Sequence, residues 1–161
     1  MEKEFTELLI ENQGILHKIC NLYFSNRIEK EDYQQELIIQ LWKAFPSFKN
    51  QSKFSTWMYR VCLNGAIDII RKEKTRPQFT TLDLNMVNKI SEKDNDANSN
   101  QEKLYHAINK LSDIDKAIIT LYLEELSYKE IAETIGITES NTGAKINRIK
   151  TTLLKSFGNG N

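Results

Sequence analysis

Outside residues 77–102 the large apolar residues of this chain recur mainly at intervals of three and four, the spacing that gathers side chains on one face of a helix. In residues 2–24 the series is Phe5, Leu8, Leu9, Ile15, Leu16, Ile19, Leu22 and Tyr23. It predicts a helix of about six turns, interrupted near Gly14. Residues 30–45 repeat the pattern with Tyr33, Leu37, Ile38, Leu41, Trp42 and Phe45. They end before Pro46, because proline disfavours helical geometry in its predecessor. Pro46 to Ser52 reads as a loop. From Ser52 to Lys74 a third helix is expected to bury Phe54, Met58, Val61, Cys62, Ala66, Ile69 and Ile70. With 6 Gly and 2 Pro in 161 residues, turns are too few for a β-sandwich, and the expectation is an all-α protein. Three amphipathic helices cannot each hide an apolar stripe alone, so residues 1–76 should pack as one small bundle.

The periodicity stops after Arg76-Pro77. Residues 88–102 are almost without large apolar groups and cannot bury enough surface to offset the entropy of ordering. Residues 77–102 therefore read as a flexible linker, and 103–161 as a second small helical domain. In that domain a helix is expected around 103–111. Ser112-x-x-Asp115 and Ser127-x-x-Glu130 then carry the capping-box signature of helix starts. Residues 128–135 form a short helix containing Ile131, Ala132 and Ile135, Gly136 supplies the turn, and Thr138 is the candidate N-cap of a further helix. Small Ala132 permits a close crossing and Gly136 can adopt positive φ, which makes the segment a helix-turn-helix pattern. Ile146, Ile149 and Leu153 should face inward, leaving Asn141, Lys145, Asn147, Arg148 and Lys150 to project as from a helix whose first turns enter a major groove. Gly143 is awkward there, since a helical glycine costs about 1 kcal/mol relative to alanine.

The net charge is zero, with 22 basic and 22 acidic side chains. That excludes a coat protein binding nucleic acid by bulk attraction, and equally an acidic disordered chain. The arrangement is uneven: residues 43–76 hold 8 basic against 2 acidic groups and 138–161 hold 4 against 1, whereas 1–42 hold 4 against 8. Two basic blocks within an acidic frame suit a molecule that meets two kinds of surface. In the first block Arg60, Asn64, Asp68 and Arg71 fall within a sector of about 80° at helical spacing, with Trp57 on its flank and Lys53, Lys72, Lys74 and Arg76 nearby. A large aromatic beside cations and amides is how proteins stack on unpaired bases while neutralising phosphates; the plainer alternative is a solvated face with Trp57 half-buried at its edge.

Chemistry of other kinds finds little support. Cys20 and Cys62 lie inside apolar helical patterns and read as buried free thiols, without a disulfide or metal role. His17 and His106 have no Ser, Cys or carboxylate arrangement with nucleophile or metal-ligand logic, and no glycine-rich phosphate loop is present. No enzyme, cofactor or metal site is expected. The charged N-terminus lacks a signal-peptide pattern, and no apolar run approaches the roughly 20 residues that span a bilayer, so the expectation is a soluble cytoplasmic protein without membrane insertion.

The segments Glu31-Asp-Tyr-Gln-Gln-Glu36, Leu41-Trp-Lys-Ala-Phe45, Phe54-Ser-Thr-Trp57 and Asn64-Gly-Ala-Ile-Asp68, followed by the helix-turn-helix, closely resemble bacterial RNA polymerase sigma factors. With two domains and a short linker the chain resembles the extracytoplasmic-function (ECF) subfamily. The wording at Ile137–Asn141 and Asn147–Lys150 is similar to Bacteroidetes-type members. The resemblance implies that residues 1–76 bind core RNA polymerase and the −10 element, and that 103–161 bind the −35 element. Asp32, Gln35 and Glu36 match positions that dock on the β′ clamp helices, and the β flap is a further expected contact. The loop 46–53 matches a segment that captures a flipped base. Lys53, Trp57, Arg60, Asn64, Asp68, Arg71 and Lys72 would line promoter DNA at −10, and Asn141, Lys145, Asn147, Arg148 and Lys150 at −35, with Lys145 and Lys150 on phosphates. The family commonly has Thr-Val-Lys/Arg where this chain has Asn141-Thr142-Gly143. An anti-sigma factor is a further partner that the resemblance leaves open. The alternatives are a helix-turn-helix regulator acting without polymerase and a polymerase-binding interaction module.

Overall fold

The computed structural model describes residues 1–76 and 99–158. Most of the expected linker, 77–98, and residues 159–161 lie outside the described residues. Among the described residues eight α-helices follow one another: α1 (Glu2–Glu11), α2 (Gln13–Tyr23), α3 (Arg27–Ala44), α4 (Phe54–Thr75), α5 (Ser99–Asn109), α6 (Asp113–Leu123), α7 (Tyr128–Ile135) and α8 (Glu139–Gly158). Among the described residues there is no strand.

In the N-terminal unit the expected first helix is broken at Asn12, two residues before Gly14. The Asn12 side chain donates to the Leu8 carbonyl at 2.8 Å and so ends α1 by serving one of its last carbonyls. The next helix starts at Arg27 instead of residue 30, because Asn26 caps it by accepting from the Ile28 amide at 3.0 Å. Pro46 lies in a 3-10 turn, Phe45–Ser47, that closes α3. α4 is buried over a wider arc than its predicted stripe: Tyr59, Leu63, Gly65 and Ile67 join Met58, Cys62, Ala66 and Ile69 in the core, while Val61 and Ile70 are half-buried. The cause is tertiary, since α2 and α3 cover α4 from one side and α6 and α7 from another. Gly65 sits where α3 crosses: a Cβ there would lie 2.8 Å from the Leu37 Cδ2 and against the Gln40 side chain.

The C-terminal unit is a cluster of aliphatic side chains, among them Ile118, Leu121, Ile131, Ile146 and Ile149, enclosed by α5 to α8. α5 starts at Ser99, so the linker ends earlier than residue 102. In its polar first turn Asn100, Gln101 and Glu102 are exposed, with Glu102 at the positive end of the helix dipole, and such a turn needs no apolar residue to announce it. Ser112 caps α6 by accepting from the Asp115 amide at 3.2 Å. At α7 the box is complete, with the Glu130 amide donating to Ser127 Oγ at 3.1 Å and the Ser127 amide to the Glu130 carboxylate at 2.8 Å. Gly136 ends α7 at φ 84°, a conformation open to glycine at no steric cost.

The two units share one continuous core. Across their seam the Tyr23 hydroxyl donates to the Asp113 carbonyl at 2.7 Å, and Lys74 pairs with the Asp113 carboxylate at 3.4 Å. Lys18 pairs with Glu124, and the Tyr105 hydroxyl donates to the Asn21 carbonyl. Cys20 and Cys62 are free and buried; burial pushes their thiols up to about 11 and about 12. No helix among the described residues is long and apolar enough to cross a membrane.

Candidate nucleic-acid and partner interfaces

The outer face of α4 is the most basic surface. Arg60, Asn64, Asp68, Arg71 and Lys72 are all exposed along it, and Lys53 is exposed at the N-cap. Trp57 is half-buried at the edge of this face and does not stand free of the protein. Its ring lies 5.2 Å from Phe48, 5.3 Å from Phe54 and 6.2 Å from Phe45, centroid to centroid. These aromatics form a wall under the loop 46–53. Sequence reasoning missed the wall, although three phenylalanines and a tryptophan between residues 45 and 57 were its signal. Beside it a cleft of about 420 Å³ opens between the loop and α1, lined on one side by Phe48, Asn50 and Lys53 and on the other by Glu4, Glu7 and Glu11.

A different surface lies on α3. Asp32, Gln35 and Glu36 are exposed there, and at 100° per residue Ile28 and Ile39 fall on the same stripe, both exposed. Trp42 closes the stripe, partly covered by an edge contact with Phe5 at 5.1 Å. Carboxylates, amides and solvent-facing isoleucines together suit a protein partner far better than a phosphate backbone.

On α8 the five sequence candidates separate. Asn141, Asn147 and Arg148 are exposed. Lys145 is half-buried with its ammonium 4.0 Å from the Asp115 carboxylate. Lys150 is also half-buried; it donates to the Tyr122 hydroxyl at 2.7 Å and sits 4.4 Å from the centroid of that ring. The bond to Tyr122 pushes its pKa up. The two departures at 142 and 143 also receive a physical account. Thr142 is fully buried, its hydroxyl donating to the Thr138 carbonyl at 2.9 Å, so it packs the core as a β-branched side chain of valine-like shape. Gly143 faces Tyr128 of α7: a Cβ would meet that ring at 3.3 Å. The glycine therefore serves the approach of the two helices.

Bundle, basic helix and helix-turn-helix together suit a DNA-binding transcription factor. Residues 8–76 match Sigma-70 region 2 and residues 101–153 match Sigma-70, region 4. The chain is 32% identical to the ECF RNA polymerase sigma factor SigW of Bacillus subtilis, over 95% of this chain and 88% of that protein. It is 26% identical to the ECF RNA polymerase sigma-E factor of Escherichia coli K12, over 92% and 84%. In fold it is similar to the sigma factor RpoE solved with the anti-sigma factor NepR from Bartonella quintana, at TM-score 0.71 and 18% identity over 99% of each chain. CnrH, solved with the cytosolic domain of CnrY, is similar at TM-score 0.69 and 16% identity, covering all of this chain and 92% of that one. The chain belongs to the ECF RNA polymerase sigma factors.

Proposed function

We propose that this sigma factor divides its work among three exposed faces. Asp32, Gln35 and Glu36 on α3 dock on the β′ clamp helices of core polymerase. Lys53, Trp57, Arg60, Asn64, Asp68, Arg71 and Lys72 engage the −10 element, with the loop 46–53 and its aromatic wall receiving an unstacked base. Asn141, Asn147 and Arg148 read the −35 element from α8, while Lys145 and Lys150 reach phosphates from its rim after exchanging their present partners. Unstacking a base step costs a few kcal/mol, which stacking and phosphate contacts offset without nucleotide hydrolysis. The β flap is the further polymerase contact, and an anti-sigma factor is the partner of the inactive state. The protein works in the cytoplasm, and the wording of its recognition helix supports a Bacteroidetes-type member.

The observation that carries this reading is the separation of chemistry by face: acid, amide and isoleucine on α3, cation and aromatic on α4, amide and Arg148 on α8. Its test is a reconstituted holoenzyme. Glu36→Lys is expected to weaken capture of core polymerase at least tenfold while sparing the fold, and Arg148→Ala to leave capture unchanged and weaken binding to −35-containing promoters. Equal effects of both variants on both assays would refute the division. Tight, salt-dependent promoter binding by the free protein would favour a regulator acting without polymerase.

A further inference from the structure

Over its first three turns the centre of the exposed side of α8 carries no charge. At 100° per residue Ser140, Ala144, Asn147 and Thr151 fall within a sector of about 60°, and all four are exposed. Arg148 and Asn141 flank this stripe on one side. Two cations that the sequence places on the helix are held by neighbours, Lys145 at Asp115 and Lys150 on Tyr122. Position 143 carries no side chain at all. Thr151 commits its hydroxyl to the Asn147 carbonyl at 3.0 Å, leaving a methyl as its remaining group. What the first two turns of α8 offer a groove at their centre is therefore the Ala144 methyl, between the Ser140 hydroxyl and the Asn147 amide.

Only one feature of a major groove edge complements a bare methyl, and that is the C5-methyl of thymine. A cytosine or adenine amino group facing Ala144 would lose its water without gaining an acceptor. A thymine methyl facing it loses apolar contact with water instead. We propose that Ala144 is a specificity-determining residue of the −35 interaction, selecting a thymine by methyl–methyl contact, with Asn147 and Arg148 reading the neighbouring base edges. The proposal rests on the assignment of α8 to the −35 element.

The experiment uses the holoenzyme and a promoter fragment selected by it from a random library. Each −35 thymine, on either strand, is replaced in turn by deoxyuridine, which removes the methyl and nothing else. At one position the exchange is expected to weaken binding about fourfold, the worth of one buried methyl group. With Ala144→Ser, which keeps a helix-compatible side chain but replaces the methyl surface by a hydroxyl, that position should become insensitive to the exchange. Ala144→Gly should behave likewise, with a uniform loss of affinity on all fragments from helix weakening. Sensitivity at no position, or the same sensitivity in wild type and both variants, overturns the role of Ala144. A holoenzyme that protects no −35 sequence at all overturns the assignment of α8 itself, so the two failures are distinguishable.

Discussion

The two units of this molecule reach stability by different means. The N-terminal unit packs its helices around large side chains: Phe5, Phe45, Phe48, Phe54, Trp42 and Trp57 touch in a chain of edge-on and tilted rings, and Leu37, Leu41 and Met58 are fully buried. The C-terminal unit packs smaller aliphatic side chains, and its α7 has only 8 residues, too short to persist without help. There the starts of α6, α7 and α8 are secured by side-chain caps at Ser112, Ser127 and Thr138. Aromatic bulk marks one unit, and end chemistry is concentrated in the other. The contrast bears on the proposed function: an unstacked base would meet the aromatic wall of the first unit, whereas an intact duplex would meet the helix face of the second.

Substitutions can break that contrast. Leu41→Ala removes a fully buried side chain and is expected to cost about 2–5 kcal/mol, read from the denaturant midpoint of tryptophan fluorescence, since both tryptophans lie in the N-terminal unit. A smaller loss would mean that the bulky core can collapse around the gap. Alkaline pH acts on the same unit. Burial raises both thiols, so the folded state retains protons that the unfolded state releases above about 9; stability is full below that pH and falls as pH rises toward about 11 to 12. Each thiol contributes up to about 1.4 kcal/mol per pH unit in that window. Replacing both cysteines by alanine should flatten the corresponding part of the pH profile, and an unchanged slope would contradict the assignment. Gly65→Ala crowds Leu37 at about 1–3 kcal/mol, of which helix propensity returns about 1 kcal/mol. Smallest is Ser127→Ala, about 1 kcal/mol from the lost box at α7. Followed by circular dichroism alongside fluorescence, it sharpens the comparison: a loss confined to the helical signal places the cap's effect in the C-terminal unit, while coincident shifts show that the units unfold together.

Much of this architecture was legible in the residues themselves. Periodicity located the helices because each hides an apolar stripe, and Ser112, Ser127, Gly136 and Thr138 marked ends because capping is a local interaction. What stayed hidden depends on neighbours distant in sequence. The second buried side of α4 exists because α6 and α7 lie on it. Lys145 and Lys150 look like free cations until Asp115 and Tyr122 are brought to them, and Gly143 looks like a flaw until the Tyr128 ring is placed beside it. Of the candidate interfaces, the α4 face followed from helical angle and the α3 set from family resemblance, whereas the α8 set required knowing which side chains its own unit already holds.

The seam between the units is fastened by polar contacts that run both ways, the Tyr105 hydroxyl of the C-terminal unit donating to the Asn21 carbonyl. Donors from the N-terminal unit, at Lys18, Tyr23 and Lys74, meet acceptors at Glu124 and Asp113. The lysines at its two ion pairs are half or more exposed, with side chains at 50% and 71%, and pairs of that kind contribute at most about 1 kcal/mol each. Dissolved ions compete for such contacts over a Debye length of about 10 Å at 0.1 M. Rising ionic strength therefore weakens these two pairs while leaving the shared apolar core in place.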